Sequence, residues 1–366
     1  MLCVSSRGCY MSEPLVSLLV PIYNVERYLR ECLDSACSQT LEDIEIICLN
    51  DGSTDSSPDI IREYMARDPR VRMVDKPNSG YGASMNRGLA EARGRYIGIL
   101  ESDDFFEPDA LEMLVNAAEK HKAQVAKANF WLYWSVPEEK NELFEVVPKK
   151  AAGRAVNPSE EPDIFFAKPS IWSAVYRRDF LFEHGIDFLE TPGASFQDSA
   201  FNFKVWACAD RVAFLDEPVL HYRQDNESSS VNSPSKVYCI CDEHAEMDRF
   251  LEAHPEKQGL WGVKEKVKLD NYLWNYERLA SPLNDEFLQR MHEEFKADMA
   301  VGRVDFSVFE PWKKKDFQII CDSPELFKAG RAASTSKGAL SKARCYVQEG
   351  GISLLVKGLA RKTKGR

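Results

Sequence analysis

Arg95-Tyr96-Ile97-Gly98-Ile99-Leu100-Glu101-Ser102-Asp103-Asp104 is the stretch whose reading decides the fold of this chain. An apolar run from Tyr96 to Leu100 stops abruptly at three acids, Glu101, Asp103 and Asp104, with one serine among them. Short apolar runs bounded by polar punctuation mark strands buried on both faces of a mostly parallel sheet. In such sheets ligands bind outside the carboxyl ends of the strands. Carboxylates clustered there repel one another unless a cation is present. An all-oxygen donor set favours magnesium, manganese or calcium over zinc. The same stretch also reads as an acidic surface loop after a core strand, so the rest of the chain has to decide.

Working outward, the same grammar recurs. Leu15 to Val20 is an apolar run broken by Pro21-Ile22-Tyr23-Asn24, after which Tyr28, Leu29, Cys32 and Ala36 recur at helical spacing, with Asn24 placed to cap. Ile44 to Leu49 predicts a second strand, ending in Asn50-Asp51-Gly52-Ser53-Thr54-Asp55. The helix after it has Ser57 as cap and Pro58 in its first turn. Val71 to Val74 predicts a third strand, and the turn-rich Lys76 to Gly82 leads into a helix through Met85, Leu89 and Ala92. Pro108 opens a helix after the quoted stretch, and Gln124 to Ala128 reads as one more strand. Strand alternating with helix in this way predicts an open, doubly wound α/β sheet. Every polar cluster so far falls at a strand's carboxyl end, which points to a nucleotide-type site.

From Trp131 to Pro158 the chain predicts an edge hairpin and a loop. A helix is expected near Asp179 to His184, another after Gln197-Asp198, and two short strands at Val212 to Leu215 and Val219 to Tyr222. Beyond about Ser233 helical periods dominate, as in Leu269, Tyr272, Leu273 and Tyr276, then Leu288, Met291 and Phe295. The expected organisation is an N-terminal extension over 1–13 that is disordered or precedes the true start at Met11, a catalytic domain over 14–232, a helical appendage over 233–330 and a basic tail over 331–366. Gly330 to Arg366 holds nine Lys/Arg against one acid, Glu349, in a protein whose net charge is −11. Ile352, Leu355 and Leu359 fall on one face there, beside Lys357, Arg361 and Lys362. That predicts contact of 350–366 with an anionic membrane surface, or a basic helix that simply packs. The appendage is also a candidate surface for a homo-oligomer.

Composition narrows the classes further. The 44% hydrophobic and 11% aromatic content of the 366 residues supports a packed core. The acidic balance argues against nucleic acid as a partner. Ten cysteines and six histidines show no zinc spacing and read as buried small hydrophobes in a reducing cytosol. No apolar run reaches membrane-spanning length and Met1 to Tyr10 lack a signal peptide's pattern, so the expected place is the cytoplasm, peripheral at the inner face of the plasma membrane.

Taken together, Pro21-Ile22-Tyr23-Asn24, Asn50 to Asp55, Asn78-Ser79-Gly80 through Asn86, Glu101-Ser102-Asp103-Asp104 and Gln197-Asp198 resemble the motifs of the non-processive family 2 glycosyltransferases, in order and spacing, from Leu15 to Tyr222. The resemblance implies a GT-A fold and an inverting transfer of one sugar from a nucleotide-diphosphate donor, of UDP-sugar type, to a saccharide or lipid-linked acceptor in bacterial capsule, cell-wall or glycolipid assembly. It implies that Pro21, Tyr23, Asn24 and Glu26 line the nucleotide pocket and that Asp51 accepts a hydrogen bond from uracil. Asn78, Gly80 and Asn86 then hold ribose or phosphates, the glycines permitting close backbone approach. Glu101-Ser102-Asp103 looks like the family's DXD motif, with Asp103 as the direct ligand of Mn2+ or Mg2+; the longer Glu101 is assigned to the metal, directly or through water, or to ribose instead, Ser102 to the nucleotide-sugar, and Asp104 either to the donor sugar or to support of the loop. Asp198 matches the general base, which takes the proton of an attacking hydroxyl. Gln197 and Trp172 are assigned to the acceptor, and His221 is a candidate further metal ligand.

The residues keep other readings open beside these roles: a turn residue for Asp51, an N-cap for Asp198, a core tryptophan for Trp172 and a structural histidine for His221. The chain departs from the family at Asn50, where an Asp is usual, at Met85, where an Arg often precedes Asn86, and at Glu101, where Asp is commoner. It also lacks the Gln-x-x-Arg-Trp motif of processive synthases, so single additions are expected. The alternatives are a nucleotidyltransferase acting on sugar phosphates, which would want a glycine-rich basic loop after the first strand, and a non-catalytic sugar-binding or scaffold protein.

Overall fold

The structure, a computed structural model, describes residues 13–226 and 236–364, with side chains described up to residue 360. The extension expected over 1–13 lies, up to residue 12, outside the described residues. The chain divides into two compact units, one ending at Asn232 and the other beginning at Ser233.

In the first unit the expected alternation is present. Its elements are β1 (Val16–Ile22), α1 (Leu29–Cys37), β2 (Ile44–Asp51), α2 (Ser57–Arg67), β3 (Val71–Lys76), α3 (Tyr81–Glu91) and β4 (Tyr96–Ile99). Strands β3, β2, β1 and β4 lie side by side and parallel. Every residue of β1 and β2 is buried, which is why these segments read as unbroken apolar runs rather than alternating ones. Helix α1 buries Leu29, Cys32, Leu33 and Ala36, one stripe at helical spacing. Asn24 does not cap it. The helix begins at Leu29, and Asn24 sits at φ 50° with its side chain turned to the next loop.

Past β4 the sheet turns mixed. The further elements are β5 (Phe105–Phe106), α4 (Ala110–His121), β6 (Val125–Trp134), β7 (Lys140–Phe144), β8 (Ala155–Val156), β9 (Ala174–Arg177), α5 (Arg178–Glu183), α6 (Gln197–Cys208) and β10 (Val212–Arg223). The order β3-β2-β1-β4-β9-β6-β10-β5 places β9 antiparallel between β4 and β6. β6 and β7 make the expected hairpin. The two short strands expected at 212–215 and 219–222 are one strand, β10, parallel to β6. Its register slips on either side of Pro218, because a proline has no N–H for the ladder and demands an irregularity there.

This topology positions the site. β1, β2, β4, β6 and β10 point the same way, so Ile22, Asp51, Leu100 and Arg223 end on one edge. Because β9 runs the other way, its first residue, Ala174, lies at that same edge, and so does the segment that leads into it.

The second unit is helical, as the periodicity predicts: α7 (Cys239–Ala253), α8 (Trp261–Arg278), α9 (Leu283–Ala300), α10 (Pro311–Asp322), α11 (Pro324–Thr335) and α12 (Ala339–Lys364). Leu269, Tyr272, Leu273, Tyr276, Leu288, Met291 and Phe295 are all buried. Helix α11 runs through the boundary drawn at 330, and α12 breaks its helical geometry at Gly350 and Gly351. Leu354 is buried against Leu326 and Ala329 of α11, while Ile352, Val356 and Leu359 are exposed. The side chains of Arg361 and Lys362 lie outside the described residues. Among the described residues no helix is long and apolar enough to cross a membrane.

Candidate active site

Two strand-to-helix loops lock together at the site's edge. Asn24 Oδ1 accepts from Thr54 N at 2.8 Å, and Asn24 N donates to Ser53 Oγ. Glu26 Oε2 accepts from Ser56 N at 2.8 Å, and Asp55 Oδ2 accepts in return from Glu26 N at 3.0 Å. Asn24 and Glu26 therefore spend their side chains on holding Asn50 to Asp55 in place. Pro21 is buried in β1 opposite Leu49, whereas Tyr23 is 53% exposed and presents its ring to solvent.

Asp51, at the end of β2, is buried and ties down the next loop. Its Oδ1 accepts from Ser79 N at 2.8 Å and pairs with Lys76, and its Oδ2 accepts from Gly80 N at 3.0 Å. The missing charge at Asn50 has a local partner as well, since Asn50 Nδ2 donates to Asp75 at 2.6 Å. Asn78 is exposed at the tip of the loop.

The glycines of this loop serve packing. A Cβ on Gly80, which sits at φ +91°, would lie 2.5 Å from Thr191 O, and one on Gly82 would lie 2.1 Å from Leu189 O. The backbone approaching them is the protein's own segment 189–193. Asn86 meets the same stretch of chain. Its Nδ2 donates to Phe188 O at 2.9 Å and to Glu190, and its Oδ1 accepts from Phe188 N at 2.8 Å. The carboxamide is engaged at both ends by protein, leaving it a bracket for the 188–190 strand of chain. Phe188 in turn stacks on Phe201 of α6 at 4.1 Å, so α3 and α6 are coupled through this segment. Met85 is fully buried, where an arginine's charge would have no solvent.

At the quoted acids, Glu101 Oε1 accepts from Tyr81 Oη at 2.7 Å. Asp103 accepts from Asn226 at 2.8 Å, and Ser102 is half-buried between them. Asp104 is 1% exposed; its Oδ1 accepts from Arg223 N at 2.9 Å, while its Oδ2 is buried and has no hydrogen-bond partner among the described residues. Arg223 closes the turn from below, donating to Asp103 O at 2.9 Å, pairing with Glu31 and lying over the rings of Tyr28 and Tyr133. Burial pushes the Glu101 carboxyl up to about 8; Tyr81 opposes this, and the charges of Asp103 and Asp198 add to it. Burial also raises Asp104 well above the carboxylate range, with Asp103 adding to the effect.

These acids fit a hard divalent cation. They burden one another with like charge, and Asp104 leaves an orphaned buried oxygen. Among the described residues no three His, Cys, Asp or Glu groups already converge on one point.

Asp198 stands in the first turn of α6, entered through Phe196 at φ 60°. Burial pushes its carboxyl up to about 6, against the pull of Lys168 and Lys127. Its charge acts on Glu101, Tyr81 and Tyr222, so Asp198 lies near the acids that follow β4. Gln197, expected to face the acceptor, is 2% exposed. It donates to Thr191 Oγ1 at 2.9 Å and accepts from Ser195 N, so it shapes the loop before the base.

Trp172 is 6% exposed and packs edge-on to Phe130 at 4.5 Å and against Tyr222 at 4.9 Å. That puts it in the aromatic core rather than on a solvent-facing platform. His221 has both ring nitrogens engaged, Nδ1 with Asn141 at 2.8 Å and Nε2 with Glu107 at 3.0 Å, and stacks on Phe105. Burial lowers its pKa, and the acids that act on it are Glu107, Glu31 and Glu139, none of the 101–104 cluster. With both ring nitrogens taken up by protein partners, the structural reading is the better supported one.

Tyr81, Tyr222 and Arg223 lie at the acids beside the expected residues. Tyr81 lies inside the Asn78–Gly82 loop; the other two carry no local pattern, because only the mixed sheet brings β10 to the acids.

Comparisons with known proteins agree with this geometry. The family described as glycosyl transferase family 2 matches residues 17–168. The glycosyltransferase GlyG of Streptococcus pneumoniae is 30% identical over 234 residues, covering 60% of this chain and 73% of GlyG. The chain belongs to glycosyl transferase family 2. EpsJ of Bacillus subtilis, also named a glycosyltransferase, is 34% identical over 243 residues; the match spans 63% of this chain and 66% of EpsJ, just short of two thirds of its length. Among solved structures, S. aureus TarS 1-349 superposes with a TM-score of 0.66 at 17% identity, covering 88% of this chain and 93% of TarS 1-349, a likeness of fold.

Proposed function

We propose that this family 2 member moves one sugar from a UDP-type nucleotide donor to a hydroxyl of a saccharide or lipid-linked acceptor, inverting the anomeric centre. The observation that carries the reading is topological: the acids that follow β4 and the segment that enters β9 meet at one edge of the sheet, and the charge of Asp198, in the first turn of α6, acts on Glu101. One base without a second nucleophilic carboxylate suits a single in-line displacement.

Tyr23, exposed at the end of β1, offers a ring on which the base can stack. Asp51 Oδ2 keeps a lone pair beyond its bond from Gly80, enough for one N–H of a uracil. Asp103, with Asp104 Oδ2 and Glu101 beside it, would hold Mn2+ or Mg2+. Such a cation, when bound, neutralises charge on the departing diphosphate. Tyr81 holds Glu101 by its hydroxyl, and Asp198 takes the proton from the acceptor hydroxyl. TarS 1-349 has been crystallised with UDP-GlcNAc, which supports a nucleotide-sugar donor for a chain of the same fold.

The reading extends to placement at an anionic membrane surface from the cytoplasmic side. Ile352, Val356 and Leu359 recur at helical spacing, are 73%, 58% and 56% exposed, and sit in a segment of net charge +8.

Thermal unfolding in the presence of UDP-, GDP- and dTDP-sugars, each with and without Mn2+, tests the donor assignment. UDP-sugars are expected to raise Tm with Mn2+ in the wild type and to lose that dependence in Asp103→Ala. No shift with any UDP-sugar overturns the uracil role of Asp51.

A further inference from the structure

Lys168 has no part in the scheme above, yet its surroundings are built. It lies in the segment that enters β9 at the acid edge of the sheet. The backbone there is pinned from two sides. Lys127, 3% exposed on β6, donates to Ser170 O and, at 2.7 Å, to Ser170 Oγ, and Tyr176 Oη donates to Ile171 O at 2.8 Å. Ser170 N in turn donates to Lys168 O at 2.8 Å.

From this fixed base the Lys168 ammonium lies over the Tyr222 ring at 4.2 Å, with Phe144 and Phe130 at 5.7 and 5.8 Å. Its side chain is solvent-exposed, but the rings desolvate the ammonium on one side, and burial lowers its pKa. The two charges that act on it are Asp198 first and Asp104 second. Among the described residues no carboxylate stands within ion-pair distance of it. A cation held by aromatic faces, partly desolvated, facing the base and lacking an anion of its own, is a receptor for a negative group that arrives with a substrate.

We propose that Lys168 is the anion subsite of the acceptor, taking a carboxylate or phosphate carried by the sugar whose hydroxyl meets Asp198. The donor is the less suitable source, since Asp198, the acceptor's base, is the charge that dominates at Lys168 and the 101–104 acids come second. Tyr222 holds the ammonium over its ring, and the Lys127–Ser170 bonds fix its loop. The proposal rests on the reading of Asp198 as base, and the test separates the two.

The experiment measures UDP release with Mn2+ at pH 8, above the pKa of about 6 to which burial pushes Asp198. The acceptors are p-nitrophenyl β-glucuronide against the matching glucoside, and a glucoside phosphate monoester against its free sugar. Wild type, Lys168→Gln and Lys168→Arg are compared, with thermal unfolding confirming that each is folded. Acceptor-free hydrolysis of the donor reports whether the donor site works. The expected result is a kcat/KM for one anionic acceptor about 10-fold above its neutral partner, the worth of one charge-assisted hydrogen bond. Which of the two is favoured distinguishes carboxylate from phosphate. Lys168→Gln abolishes the preference through KM, Lys168→Arg keeps part of it, and donor hydrolysis and donor KM stay unchanged. Equal use of charged and neutral acceptors, failure to use any of the four while the donor is still hydrolysed, or a Lys168→Gln defect that falls on donor KM overturns the proposal. Loss of donor hydrolysis in the wild type overturns the transferase reading instead.

Discussion

Lowering the pH should switch this protein off through Asp198, and the size of the effect follows from its burial. The carboxyl is pushed from its ordinary 3.8 up to about 6, by burial first, with Lys168 and Lys127 pulling it back. A general base works only when ionised. With a pKa of 6, about nine tenths of the molecules carry a usable base at pH 7 and about one tenth at pH 5, so kcat/KM falls roughly tenfold between them. A carboxyl at its ordinary value would lose less than about a tenth over the same range. The assay is initial-rate UDP release between pH 5 and 8 with Mn2+ held saturating at every pH. Asp198→Asn keeps the size and removes the basicity, and it should turn over at least about 100-fold more slowly at pH 7, the usual worth of a positioned base. A rate that holds to pH 5, or an Asp198→Asn variant that keeps its turnover, would refute the assignment.

Other perturbations separate structural from ligand roles. Gly82→Ala drives a methyl to within 2.1 Å of Leu189 O, a backbone atom that can yield only by moving the 189–193 segment before the base; denaturant unfolding should show a loss of about 3 kcal/mol, with activity lost in the folded remainder. Asn86→Ala strips both bonds from the buried backbone of Phe188, so stability should fall by about 1–3 kcal/mol while donor KM moves little; a large rise in donor KM at unchanged stability would restore the phosphate role. Sedimentation with vesicles should show binding to phosphatidylglycerol and none to phosphatidylcholine, lost when Ile352, Val356 and Leu359 are changed together to Ser; equal binding to both lipids contradicts the charge argument.

Most of the first unit was legible because its physics is local. β1, β2 and β4 are buried on all sides, so their apolar runs need no partner to be read, and the acids at their ends are adjacent in sequence. What stays illegible is where a residue's partners come from distant chain. Asn86 has the same polar side chain whether it faces a phosphate or the backbone of Phe188, and only the fold brings that backbone within 2.8 Å. The glycines at 80 and 82 announce a close approach but not what approaches. Trp172 and His221 were ambiguous as single residues, and each was decided by neighbours on other strands, Phe130 and Tyr222 for the one, Asn141 and Glu107 for the other. Lys168 left no trace in the sequence, since its distinction is an aromatic ring from β10 beneath its ammonium.

The central claim is a single displacement with Asp198 as the only carboxylate acting at the acceptor hydroxyl. The most direct measurement is the anomeric configuration of the first product formed from a UDP-α-sugar, read by proton NMR before any mutarotation or second addition. A β-linked product that disappears in Asp198→Asn agrees with a single displacement assisted by that carboxylate. An α-linked product, retention at the anomeric centre, would contradict the account.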